Sequence, residues 1–196
     1  MKTKRFAAIS IFSAIIVVLQ IVATFIKIGS FPITLTLIPI IVAGAVYGPI
    51  VGLLMGIVFG VIVSIMVIVG ADPGGAIMLA SHPIITILTC IIKGALAGFI
   101  GAIAYKNIKN KKIAIIIDAI ITPVINTLTL YISLILFFDS SFATLVAAFM
   151  SINFIIELTL NVLIAPGLLI VINRATKRNI QWVLGEAYDK SCIFWF

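Results

Sequence analysis

The sequence predicts an all-α integral membrane fold, a bundle of six transmembrane helices. Three observations carry that expectation. Hydrophobic residues make up 63% of the 196 and charged residues 10%, with a mean hydropathy of +1.37. That leaves too little polar surface for a fold bathed in water. Residues 28–71 form a 44-residue run without a charged side chain. Finally, the basic residues sit in short segments between apolar runs, as loops on one side of a membrane do.

In chain order, helix 1 is expected over Phe6–Ile28 and is followed by a loop, Gly29–Pro32. Helix 2, Ile33–Tyr47, is short for a full span. Glycines then recur at Gly44, Gly48, Gly52, Gly56 and Gly60, and at 3.6 residues per turn the last three share one helix face. Such a stripe weakens a helix in water but suits lipid, where small residues let helices approach closely. Gly48-Pro49 reads as a tight turn, because proline pushes the residue before it out of the helical region. Helix 3 covers Ile50–Val69. The stretch GADPGGAIMLASHP, Gly70–Pro83, reads as non-helical. Helix 4 spans Ile84–Tyr105, and helix 5 spans Ile113–Phe138 with a kink expected at Pro123. Asp139-Ser140-Ser141 makes a turn, and helix 6 covers Leu145–Asn173 with Pro166 near its end.

Six spans put both termini, the 2–3 turn and the 4–5 loop on one side. That side carries Lys2, Lys4, Arg5, Lys106, Lys109, Lys111, Lys112, Arg174, Lys177 and Arg178, whereas the other holds Lys27 alone near a helix end. Both termini are therefore expected in the cytoplasm. One membrane domain, residues 1–178, precedes a cytoplasmic tail, residues 179–196, whose Trp182, Phe194, Trp195 and Phe196 suit a membrane interface or an unstructured end. The first run follows three cations like a signal peptide, but it is too long and lacks a small-residue cleavage site.

The formal charge of +7 is explained by membrane topology rather than by nucleic-acid binding. Cys90 and Cys192 lie far apart, with neither metal-site nor CxxC spacing. A single histidine excludes a multi-histidine metal site. HExxH, GxSxG and Walker motifs are absent, so no enzyme chemistry, cofactor or intrinsic ATP hydrolysis is expected.

Ionisable groups deep in a membrane need a partner or a function. Lys93 lies about nine residues into helix 4, roughly 13–15 Å down, and Glu157 lies at similar depth in helix 6. Asn153, Glu157 and Asn161 repeat every four residues as one polar stripe. Asn126 sits near the middle of helix 5, with Tyr131 beyond it. Either these residues line a pocket between helices 4, 5 and 6, or Lys93 and Glu157 simply neutralise each other inside the bundle. Asp118, near the 4–5 loop, is expected to pair with loop lysines. The 70–83 segment is a candidate lid, with Asp72, Gly74, Gly75 and Ser81 supplying turns and polar groups. His82 is a candidate ligand contact or a solvated loop histidine.

The stretch PITLTLIPIIVAGAVYGPIVGLLMGIVFG, with its Tyr47-Gly48-Pro49 turn and glycine-rich third helix, resembles the S components of energy-coupling factor (ECF) vitamin transporters. The GADPGGAIMLASHP loop and Lys93-Gly94 look most like the pantothenate branch. The resemblance covers about residues 5–178. It implies a bacterial plasma-membrane subunit that captures a small water-soluble vitamin from outside. It also implies partners: a transmembrane coupling subunit and two ATPase subunits. In the family a small-residue face on helix 1, often AxxxA, docks the coupling subunit; here Ala7, Ser10 and Ala14 stand in that place, with serine for one alanine. Pyridoxine, biotin and other vitamins remain open. The competing expectation is a self-sufficient secondary transporter or channel with Lys93 and Glu157 as an ion relay, although no internal repeat is present. A membrane enzyme is the third and is disfavoured by the missing motifs.

Overall fold

A computed structural model describes residues 2–23, 25, 27–28, 31–32, 35–138 and 140–175. It contains seven helices and one two-residue hairpin: α1 Lys2–Ala23, β1 Lys27–Ile28, β2 Phe31–Pro32, α2 Leu37–Tyr47, α3 Pro49–Ile68, α4 Pro73–Ser81, α5 Pro83–Asn107, α6 Lys111–Phe137 and α7 Ser140–Ala175. Four are long and apolar enough to cross a membrane: α3, α5, α6 and the Asn153–Ile172 part of α7. Two shorter apolar helices, Ile9–Ala23 and Leu37–Tyr47, accompany them. The expected tail, from residue 179, lies outside the described residues.

Backbone-to-backbone packing of α3 on α5 forms the centre. A β-carbon on Gly52 would collide with the Gly98 carbonyl, one on Gly56 with the Gly94 carbonyl, and one on Gly60 with the Cys90 carbonyl. The fit is reciprocal, since Gly94 and Gly98 face the Gly56 and Gly52 carbonyls. The glycine stripe is thus matched by a second stripe on α5. With no side chains between the helices, dispersion acts over short backbone distances, which is how helices associate when lipid removes the hydrophobic contrast. Phe59, Met55 and Val67 of α3, together with Ile40 and Ile41 of α2 and Ile16 of α1, fill the core around this seam.

The turn between α2 and α3 is what the Gly-Pro pair predicts. Gly48 has φ 98° and ψ 173°, a conformation essentially reserved for glycine. Its N–H donates to the Gly44 carbonyl, 2.9 Å away, and Pro49 opens α3, where its missing N–H costs nothing. On the buried side of α1, the Thr36 hydroxyl donates to the Gln20 side-chain carbonyl across 3.0 Å, tying α1 to the start of α2.

Several expected boundaries shift. Helix 1 ends at Ala23 rather than Ile28, because the chain turns into the β1–β2 hairpin, where Lys27 faces Pro32 and Ile28 faces Phe31. The 70–83 stretch is not a loop throughout. Asp72 is extended and its carboxyl accepts from the Gly75 N–H at 3.1 Å, with Pro73 in the first turn, so a nine-residue helix forms between the two prolines. Ser140 and Ser141 belong to α7 rather than to a turn, since hydroxyl residues serve a helix start as well as a loop. Pro123 and Pro166 are both accommodated inside helices. Asp118 does not pair with a loop lysine. It is fully buried, accepts from the Thr122 hydroxyl at 2.8 Å and packs on Gly101. Lys111 instead caps α5, donating to the carbonyls of Tyr105, Lys106 and Ile108 at 2.9–3.2 Å. It sits 5.0 Å from the Tyr105 ring centre.

Two glycine variants separate sterics from backbone strain. Gly56→Leu must push α5 away along the whole seam and is expected to abolish recovery of monodisperse protein in detergent. Gly48→Ala meets no atom within 4 Å and suffers only the backbone penalty of about 1–3 kcal/mol, so it should fold with a lowered thermal midpoint by circular dichroism. Equal, small effects of the two would contradict the packing described. Gln20→Leu, which strands the buried Thr36 hydroxyl, should cost about 1–3 kcal/mol in the same melt, and Gln20→Leu with Thr36→Val should recover part of it.

Candidate functional site

The polar residues singled out in the sequence are buried inside the bundle. Lys93 on α5, Asn126 on α6, and Asn153, Glu157 and Asn161 on α7 are each at most 9% exposed. Their placement follows from the seam. Gly94 faces α3, so Lys93, about 100° back around α5, leans past α3, and its Nζ lies 6.0 Å from the Phe59 ring centre. Glu157 on α7 feels the charge of Lys93, although α7 packs chiefly on α6 and α2 rather than on α5. Cys90, one turn along α5, is surrounded by Lys93, Asp72 and Ser64.

A second level lies deeper. The α5–α6 register is fixed by the Thr89–Ser133 hydrogen bond of 2.6 Å and by the packing of Gly101 on Thr122. That register sets Asn126 about one turn deeper than Lys93. On α7, Asn161 is one turn beyond Glu157, and its Nδ2 donates to the Glu157 backbone carbonyl at 2.8 Å. Among the described residues, Glu157 Oε1, Asn126 Oδ1 and Asn161 Oδ1 are sealed from solvent without a hydrogen-bond partner, and so is Asp118 Oδ2, about two turns beyond Asn126 and outside both levels. Unmet buried acceptors are rare in folded proteins, since each carries a desolvation penalty of about 1–3 kcal/mol.

The remaining candidates lie elsewhere. Tyr131 is half-buried and packs on the cluster of Met78, Leu130, Leu134 and Val146. His82 is exposed at the α4–α5 junction, with its ring edge-on to Phe138 at 5.1 Å. Of the candidate lid residues, Asp72, Gly74 and Gly75 are buried, and Gly75 sits against Val67 of α3. Ser81 is exposed and its hydroxyl donates to the Ile77 carbonyl at 3.3 Å. Ala7, Ser10 and Ala14 are exposed along one side of α1. No group of three or more metal-ligating side chains occurs among the described residues.

Sequence reasoning passed over Gln20, Thr36, Thr89 and Ser133, all buried and hydrogen-bonded between helices. Their signal was available: Gln20 is the one amide in an apolar run, and a polar side chain at that depth needs a partner. A cavity of about 580 Å³ between α1, α2 and α7 was also missed. It is apolar, lined by residues such as Phe12, Ile15, Ile38, Tyr47 and Leu168, and lies apart from the polar levels.

No curated protein and no solved structure gives a significant match to the chain. A family model does. The model described as ECF transporter, substrate-specific component, matches residues 4–169. That match takes in α1 through α6 and α7 past Asn161, so both polar levels fall within it. With a membrane-type helical bundle and a family model covering most of its length, the chain belongs to the substrate-specific component family of ECF transporters.

Proposed function

We propose that the protein captures a small water-soluble vitamin from outside the cell and delivers it inward, with pantothenate as the lead candidate. Family membership implies association with ECF coupling and ATPase modules, and a chain without a nucleotide-binding motif must borrow its energy. In this reading α1, α2, α3, α5, α6 and α7 are the six spans. The chain sits in the bacterial plasma membrane, with both termini in the cytoplasm. The transmembrane coupling subunit packs on α1 at Ala7, Ser10 and Ala14, with two ATPase subunits beneath it. The segment capped by Asp72, with Gly74, Gly75, Ser81 and His82, opens and closes above the site.

One observation carries the reading. A lysine and a row of amide and carboxyl groups are held inside an apolar bundle, with acceptors left unmet. Packing alone does not call for these groups, whereas a polar solute does. Lys93 meets the carboxylate of pantothenate, and Asn126, Asn153 and Asn161 meet its hydroxyls and amide. Glu157 orients Lys93, and Tyr131 flanks the approach. The ion-relay reading uses the same Lys93–Glu157 neighbours, but it requires uptake by this chain alone.

Radiolabelled pantothenate binding to the purified protein in lipid nanodiscs tests the assignment. Lys93→Met should weaken binding at least tenfold while the circular dichroism melt stays cooperative; unchanged affinity removes the lysine from the site. For coupling, Ala14→Trp should leave vitamin binding intact but reduce co-purification with the ECF coupling and ATPase subunits. Full uptake by Ala14→Trp cells, or ATP-independent uptake by the isolated chain in proteoliposomes, would contradict this account.

A further inference from the structure

The unmet polar atoms of the two levels share one property: all are hydrogen-bond acceptors. For Asn161 the assignment is set by geometry. Its Nδ2 already donates to the Glu157 carbonyl, and turning the amide over would press oxygen against oxygen. The unmet atom is therefore the carbonyl Oδ1. Glu157 Oε1 is a carboxyl oxygen with Lys93 as its electrostatic neighbour, and beside that ammonium the carboxyl group offers acceptor oxygens. Asn126 adds an unmet buried amide about one turn deeper than Lys93, free to turn its carbonyl oxygen to a donor. On the Lys93 side the balance reverses, because Nζ has only donors.

Resting on the capture reading above, we infer that the site takes a ligand whose buried end is rich in hydrogen-bond donors, with any carboxylate held at the Lys93 level. The buried end carries hydroxyl, amine or amide N–H groups that donate to Glu157 Oε1, Asn126 Oδ1 and Asn161 Oδ1. A carboxylate placed there would face the Glu157 and Asn161 oxygens with only the Asn126 amide N–H groups to offset them, whereas Lys93 offers it a full charge. Ligands that are acceptor-only at both ends, such as simple aromatic acids, are rejected for the same reason. The site thus fixes both the class and the orientation of its ligand: donors deep, anion shallow. Specificity of this kind is steep, because a site built to receive a hydrogen bond strongly rejects an analogue that cannot supply it.

The full-length protein, expressed in cells fed a complete mixture of water-soluble vitamins and isolated in nanodiscs, would be examined by native mass spectrometry for the compound it retains. That compound and its O- or N-methylated analogues would then be titrated against wild type, Asn126→Leu and Asn161→Leu. The expected compound carries at least two O–H or N–H donors away from any carboxylate, and methylating one donor weakens binding about tenfold or more. Asn126→Leu should weaken the parent compound but leave the methylated analogue nearly unchanged, because the two changes remove the same bond. A merely structural asparagine would lower both alike. A retained compound without such donors, or equal affinity for parent and methylated forms, overturns the inference and leaves vitamin capture standing. Retention of no compound from the complete mixture overturns the capture reading and this inference with it.

Discussion

The contact on which the rest depends is the approach of α3 and α5 at backbone distance. Gly52, Gly56 and Gly60 on one helix and Gly94 and Gly98 on the other leave no room for a β-carbon. In lipid this geometry substitutes for the hydrophobic effect, which gives little once every surface faces hydrocarbon. It also sets the position of the chemistry. Lys93 is the residue before Gly94, so the seam that locks Gly94 against Gly56 fixes the azimuth and depth of the lysine. The neighbouring Phe59 closes one side of it. A side chain on a closely packed pair of helices is held more accurately than one on a loop, and this seam carries the one lysine among the described residues that is buried in the middle of a helix.

The parts of the fold legible in the sequence were those governed by local rules. Periodic glycines gave the α3 stripe, and Gly48-Pro49 gave the turn. The alternation of apolar runs with cations gave most helix positions to within a few residues. What escaped depended on competition between local options. GADPGGAIMLASHP reads as a loop by composition, yet Asp72 and Pro73 together are also a helix start, and seven residues without a breaker follow Gly75. The end of α1 could not be read, because the hairpin that replaces its last turn involves residues with no turn signal of their own beyond Gly29-Ser30. Asp118 was misread for a similar reason. Proximity to lysines in sequence suggested an ion pair, but the helix face that holds Asp118 turns inward to Thr122 and Gly101, while Lys111 folds back on the carbonyls ending α5.

For the site, depth was legible and grouping only partly so. Charged and amide residues in apolar runs announce burial, and Lys93, Asn126, Asn153, Glu157 and Asn161 are all buried. The four-residue spacing on α7 placed three of them on one face. For His82, in the 70–83 segment, and Tyr131, on the helix of Asn126, position along the chain does not set side-chain direction: the imidazole is exposed against Phe138, and the phenol ring packs beside the cluster of Met78. The polar groups that escape the sequence reading, Thr89 with Ser133 and Gln20 with Thr36, are hydrogen-bonded to each other across element boundaries. Single-sequence spacing cannot pair residues 44 or 16 positions apart, although each was conspicuous by depth.

That contrast separates the two kinds of buried polarity in this molecule. Thr89–Ser133 and Gln20–Thr36 are each joined by a side-chain hydrogen bond and act as fasteners within the bundle. Glu157, Asn126 and Asn161 are open: they raise the energy of the empty bundle without returning it through a partner among the described residues. Under the capture reading proposed above, the desolvation penalty of about 1–3 kcal/mol per unmet acceptor is carried by the ligand-free state, and a ligand that supplies the missing donors recovers it on binding. Several such acceptors together supply a large part of the difference between micromolar and nanomolar affinity. The glycine seam makes this tolerable, because a tightly packed scaffold can hold a few unsatisfied groups in place where a looser one would collapse around them. Close packing of α3 on α5, with α6 packed on α5 and α7 on α6, thus lets unmet acceptors persist on α6 and α7.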